Sequence, residues 1–151
     1  MTKIELTTTI KAPTLQVFDA NRNIDLHQLS TSKSHETAVD GTTSGLINLN
    51  ETVTWRGKHF GIYLTHKSLI SEMQIPNYFV DEMVSGKFKS FKHQHLFREE
   101  NGETIMTDTI TYQTPFGIFG ELFNQLVLKK YLTEFIVERN EFIKQTLEKN
   151  R

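Results

Sequence analysis

The chain has no cysteine, which excludes disulfides, thiolate metal sites and thiol catalysis. It has little charge of one sign. Lys plus Arg is 17 against 18 for Asp plus Glu, a formal charge of -1. That balance argues against a nucleic-acid groove built on bulk charge and against a polybasic membrane arm, so neither partner is expected. Long apolar runs are missing as well. Nothing approaches the ~18 residues of a membrane span, so no stable membrane insertion is expected. Met1 to Ile10 is polar and alternating, without the apolar stretch of an export signal; the default placement is cytoplasmic. No Gly-rich phosphate loop, H-E-x-x-H or G-x-S-x-G occurs, so nucleotide binding and serine or zinc hydrolysis have no support. What the chain does have is Phe: 11 of them, against 4 Tyr and 1 Trp in 151 residues. Phe has no polar handle, so the set suits a dry core or an apolar pocket.

The pattern opens with a strand over Ile4 to Ile10, stopped by Ala12-Pro13. Short helices are expected over Thr14 to Ala20, with Leu15, Val17 and Phe18 inward, and over Ile24 to Leu29. Ser30 to Gly45 reads as a loop around a weak strand near His35 to Val39. Hairpins follow. A turn at Gly57-Lys58 would pair Trp55 with Phe60, Val53 with Ile62 and Glu51 with Leu64. It gathers the apolar residues on one face and puts Arg56, His59, Tyr63, Thr65 and Lys67 on the other. The strand Tyr78 to Val84 has two possible inward faces: Tyr78, Val80 and Val84, or Phe79 and Met83.

Asn101-Gly102 is the stronger hairpin signal, the preferred pair for a type I′ turn. It pairs Phe97 with Met106, His95 with Asp108, His93 with Ile110 and Phe91 with Tyr112. Two His and one Asp therefore sit on an apolar face. A long helix closes the chain, with Thr114 as cap, Pro115 in the first turn and an uninterrupted run from Ile118 to about Leu147. Its first half is apolar nearly all round and is expected to be enclosed by protein.

This order of elements resembles the helix-grip fold of the START-like (SRPBCC) superfamily, the birch-pollen-allergen type. The resemblance is carried by Ile10-Lys11-Ala12-Pro13 with Val17-Phe18, by Gly86-Lys87-Phe88 with His93 to Phe97, and by Thr107-Asp108 with Tyr112 to Pro115 and Gly117. The chain is similar to small bacterial stand-alone members of unassigned role. The resemblance covers almost the whole chain, 1–151, as one ligand-binding domain. It implies an α+β fold, a seven-stranded curved antiparallel sheet gripping the last helix, with an apolar cavity between.

On that reading Val53, Trp55, Phe60, Ile62, Leu64, Phe91, Phe97, Met106, Ile110 and Tyr112 face the helix residues Phe119, Leu122, Phe123 and Leu126. Close-packed core is the plain alternative to a lined cavity. Phe116, Gly117 and the Gly57 and Gly86 turns are candidates for its mouth. His93, His95 and Asp108 stand out. They are a satisfied buried pair, or a polar spot that orients a ligand with the Tyr112 hydroxyl, or an acid–base set in which Asp108 positions His95. Two His at i, i+2 plus a carboxylate also suit a facial metal site, but H-x-H alone is weak, and neither metal nor cofactor is assigned. Glu134, Glu138, Arg139 and Glu141 read as the solvated side of the helix.

Three function classes remain: a carrier or sensor of a small hydrophobic or amphipathic molecule, a polyketide cyclase or dehydratase using a His–Asp pair, and an interaction module of chaperone-activator type.

Overall fold

A computed structural model describes residues 1–149. Seven strands form one antiparallel sheet in the order β1-β7-β6-β5-β4-β3-β2, with β1 Thr2–Ile10, β2 Thr37–Gly41, β3 Thr52–His59, β4 Ile62–Gln74, β5 Tyr78–Ser85, β6 Ser90–Glu100 and β7 Glu103–Gln113. Every pairing except that of β1 with β7 joins sequence neighbours, so hairpin turns dictate most of the topology. Between β1 and β2 lie two short helices, α1 (Thr14–Asn21) and α2 (Ile24–Ser30). Asn23 caps α2 by accepting from the Leu26 amide. Val17 and Phe18 of α1 are fully buried as expected, whereas Leu15 is half exposed.

The β6–β7 hairpin has the register expected from Asn101-Gly102. Glu100 pairs with Glu103, and both turn residues have positive φ, 54° and 79°. The β3–β4 hairpin corrects the sequence reading. It turns at Phe60-Gly61, so His59 pairs with Ile62, Gly57 with Leu64, Trp55 with His66 and Val53 with Ser68. Gly57 is therefore not a turn residue. It is buried within β3, where a Cβ would collide with the Glu36 carboxylate. The faces of Val53, Trp55, Ile62 and Leu64 survive because the register moves by an even number of residues, which keeps each side chain on its side of the pleat. His59 moves from the assumed wet face to the inner one.

The C-terminal helix begins at Gly117, not at Thr114. Phe116 precedes it in the left-handed region (φ 68°), with no side-chain cap. Its parts are α3 (Gly117–Phe123), one π turn (Asn124–Leu128) and α4 (Lys129–Lys149). The π turn presents Asn124 inward, where it accepts from the Tyr112 hydroxyl at 2.6 Å and donates to Thr2 Oγ1 at 2.7 Å. Two apolar clusters hold the helix to the sheet. One joins Ile10, Val17, Phe18, Phe79, Phe97, Met106 and Ile143; the other joins Ile4, Ile110, Tyr112, Leu128 and Ile136, with Phe88, Phe91 and Leu132 beside it. The expectation that the helix's first half is enclosed fails. Phe119 is 79% exposed and Leu126 71%, and Ile118, Leu122, Phe123 and Val127 are exposed too. No helix among the described residues is long and apolar enough to cross a membrane.

Candidate functional site

Between the two apolar clusters runs a buried polar seam, legible along each element that crosses it. On β6 the inward residues run Phe91, His93, His95, Phe97; on β7 they run Tyr112, Ile110, Asp108, Met106. On α4 the inward stripe runs Leu132, Ile136, then Arg139 and Asn140, then Ile143. Arg139, 4% exposed, is thus not on the solvated side of the helix. It lies on the stripe at i+3 from Ile136 and i−4 from Ile143.

Asp108 is the hub of the seam and is wholly buried. His93 Nε2 donates to its Oδ1 at 2.7 Å and Asn140 Nδ2 to its Oδ2 at 2.7 Å, while the Arg139 guanidinium lies 3.5 Å from Oδ1. Arg139 also donates to Asn21 Oδ1 at 2.7 Å, tying α4 to α1. His95, although directly opposite Asp108 in the register, does not make the short bond to it. Its Nδ1 stands 3.4 Å from Oδ1, and its Nε2 donates instead to Asp81 Oδ2 at 2.8 Å. The two imidazoles stack with centroids 3.8 Å apart, and Phe79 stacks on the other side of His95 at 4.1 Å.

Asp81 settles the inward face of β5 as Phe79 and Asp81, paired with His95 and His93. Burial alone hid it, because Val80 is as buried as Phe79.

Burial would raise both carboxyl pKa values, but hydrogen bonds from imidazole outweigh it. His95 holds Asp81 down to about 2, and His93 with His95 holds Asp108 well below the usual range. Burial lowers His93, and the charge of His95 adds to that. For His95 the burial penalty is overcome by Asp108 and Asp81, and its pKa rises.

Beside the seam lies a cavity of about 230 Å³ between the sheet, α2 and α4. Trp55, Phe88, Phe91, Ile110, Leu132 and Phe135 form its apolar wall; Asp81, His93, His95 and Arg139 lie along the polar one. Five of the six histidines border it: His27, His59, His66, His93 and His95. The His27 ring lies against Trp55 with centroids 4.0 Å apart and planes tilted by 34°, and its buried Nε2 has no hydrogen-bond partner. His59 accepts from the Tyr131 hydroxyl at Nδ1 (2.5 Å) and turns Nε2 toward Glu36, 3.9 Å away. Exposed Phe60 and Lys87 mark the rim.

Of the residues expected to line a pocket, Val53, Trp55, Phe60, Leu64, Phe91, His93, His95 and Ile110 border this space. Phe97 and Met106 belong instead to the Phe18 cluster, Ile62 is exposed and Asp108 sits behind the imidazoles. Tyr112 spends its hydroxyl on Asn124. Phe119, Leu122 and Leu126 are exposed, and Phe123 packs edge-on against Phe60 at the rim with centroids 5.5 Å apart; Leu128, Leu132, Phe135 and Ile136, the next turns of the same helix, take their place. Phe116 and Gly117 are not among the cavity-lining residues, whereas Gly86 adjoins the rim residue Lys87, and a Cβ there would stand 3.3 Å from His66 Nδ1. His27, His59, His66, Asp81 and Arg139 were not anticipated. The signal that could have found Arg139 was its phase on the apolar stripe.

The sheet order and the gripped helix define a helix-grip fold of the birch-pollen-allergen type. Solved structures agree over nearly the whole chain. TTHA0849 from Thermus thermophilus superposes with a TM-score of 0.74 at 17% identity, covering 94% of this chain and 97% of its own. Protein Ms6760 from Mycobacterium smegmatis gives 0.73 at 19%, covering 99% and 92%. Ginseng major latex-like protein 151 from Panax ginseng gives 0.69 at 15%, covering 97% of each. At these identities the likeness is one of fold. No family model and no curated protein matches the sequence.

Proposed function

We infer that the protein binds a small hydrophobic or amphipathic molecule between the sheet and the C-terminal helix. The observation that carries this reading is the cavity of about 230 Å³ with an apolar wall facing a charged, hydrogen-bonding one. An engineered apolar cavity of ~150 Å³ holds benzene, and drug-sized sites occupy ~300–1,000 Å³. The space therefore suits one or two fused rings carrying a polar group, rather than a long acyl chain lying wholly inside. Apolar burial supplies the affinity, ~25 cal/mol per Å² before ordering costs. The unpartnered His27 Nε2 supports the reading further, since a ligand hydroxyl would satisfy it.

Trp55 is the only tryptophan and lines the cavity, so its emission reports occupancy. Titration with 1-naphthol, a two-ring probe with one hydroxyl, is expected to quench it saturably with one site. Leu132→Trp, which fills the cavity, should abolish binding of that probe, followed by calorimetry. Calorimetrically silent wild-type protein with unchanged Trp55 emission would refute the reading. Native mass spectrometry of freshly purified protein, with extraction of co-purifying compounds, then identifies the physiological ligand.

The geometry gives less support to a cyclase or dehydratase built on a His95–Asp108 pair. The His95–Asp108 pair it needs is split between two carboxylates, His95 being bonded to Asp81 and His93 to Asp108.

A further inference from the structure

We propose that Asp81, His93 and His95 form a binding site for one divalent first-row transition metal in the polar wall of the cavity. One donor atom from each of the three lies within 4.8 Å of the others. Two imidazoles and one carboxylate on neighbouring strands form the donor set that takes zinc or iron(II) at a site with positions left open. Here those positions face the cavity, which all three residues line.

The arrangement of Asp108 is the independent observation. It meets one nitrogen of each ring: Nε2 of His93 at 2.7 Å and Nδ1 of His95 at 3.4 Å. The nitrogens left for a metal are then Nδ1 of His93 and Nε2 of His95, the latter being the atom already beside Asp81 Oδ2. A carboxylate behind each ligating imidazole, fixing tautomer and ring plane, is the usual outer support of histidine metal sites. Asp108 is itself fixed from the far side by Asn140 and Arg139. The arrangement also explains His95 Nδ1, a buried nitrogen with no hydrogen-bond partner. A metal on Nε2 requires the ring proton on Nδ1, where it is directed at Asp108; a neutral ring shifts its one proton there, and a cationic ring releases its Nε2 proton to solvent.

Bonds of ~2.0–2.1 Å to a tetrahedral metal place donors ~3.4 Å apart. His95 Nε2 and Asp81 Oδ2, now 2.8 Å apart, would open slightly, and the His93 ring, stacked on His95 at 3.8 Å, would tilt to aim Nδ1 at the same point. The charges permit it. Asp81 and Asp108 are anionic, and Arg139, which borders the same cavity, is already engaged by Asp108 at 3.5 Å and by Asn21 Oδ1 at 2.7 Å. Sequence alone pointed to Asp108 as the carboxylate of any such site; the structure assigns that role to Asp81 and makes Asp108 the support.

Chelator-treated full-length protein titrated with zinc chloride by calorimetry tests the site without any organic ligand. One equivalent should bind. Cobalt(II) should bind at the same stoichiometry, with the visible absorption of a four- or five-coordinate centre. Asp81→Asn, which keeps the shape of a side chain 20% exposed, should lower affinity at least ~100-fold while the far-ultraviolet dichroism is unchanged. Asp108→Asn should retain one site with ~10–100-fold weaker binding. His35→Gln, an exposed histidine outside the cavity lining, should bind as wild type. Wild-type protein that binds no zinc, or binds it equally well after Asp81→Asn and His95→Gln, overturns the proposal. The cavity reading is then still judged by naphthol binding to the metal-free protein, so the two inferences fail separately.

Discussion

Asp108 is enclosed by two imidazoles from the sheet and two side chains from the helix, so its charge is balanced by hydrogen bonds that no solvent can replace. Truncating it would leave the His93 and Asn140 donors and the Arg139 guanidinium facing a void. Breaking a buried charge cluster in this way costs ~3–5 kcal/mol. Asp108→Ala is therefore expected to lower the unfolding free energy by about that amount in urea melts. Removing Glu100, whose pair with Arg98 is solvent-exposed, should change it by less than ~1 kcal/mol. A fall in the Asp108 variant no larger than that of the Glu100 variant would mean that the hub is not a structural tie. The same enclosure makes Asp108 a poor contact for a ligand, because the imidazoles stand between it and the cavity.

At the scale of elements, the long helix behaves as two. From Leu128 onward its stripe meets the sheet, α1 and α2; before that, α3 and the π turn carry exposed apolar side chains. Ile143→Ala should cost ~2–5 kcal/mol by leaving a cavity in the Phe18 cluster. Phe119→Ser with Leu126→Ser should stay within ~0.5 kcal/mol of wild type, because neither side chain is buried. Thermal melts of the two variants decide this, and comparable losses would mean that α3 packs against protein after all.

The exposure of α3 is not legible in its residues, because a segment apolar all round has no periodicity to choose between core and surface. Elsewhere legibility tracked local chemistry. Asn101-Gly102 sets the β6–β7 register through residues that favour positive φ, so Phe91, His93, His95 and Phe97 could be placed on one face. Phe60-Gly61 performs the same turn with a residue that does not advertise it, and the hairpin was drawn three residues early. Asp81 escaped because β4 bulges between Ile70 and Glu72 against it, and β5 buries both Phe79 and Val80. No alternation was left to read.

For the molecule as a whole, the imidazoles buried against the cavity make stability depend on pH in two opposed ways. His27 is pushed down to about 4, first by burial and then by the charge of Arg139. Between about 6.5 and 4 the unfolded chain binds a proton there that the folded protein does not. Stability supplied by keeping this ring neutral is thus complete above the unfolded value and lost as pH falls through that window. His66 and His93, also lowered chiefly by burial, act in the same direction. His95 acts oppositely. Its raised pKa gives stability that is complete below 6.5 and is lost as pH rises through the folded value. The depressed Asp81 and Asp108 contribute above the ordinary carboxylate range and lose that contribution only on stronger acidification, for Asp81 toward about 2. Three lowered rings against one raised ring predict a midpoint that falls from neutrality toward pH 4. His27→Gln removes one of the three while leaving the hydrogen bonds of Asp81 and Asp108 in place. Its midpoint, followed by thermal melts at quarter-unit steps from pH 7.5 to 4, should fall less steeply than that of wild type. Parallel curves would show that His27 charges as freely in the folded protein as in the unfolded chain, and its ring would then not be sealed between Trp55 and the cavity.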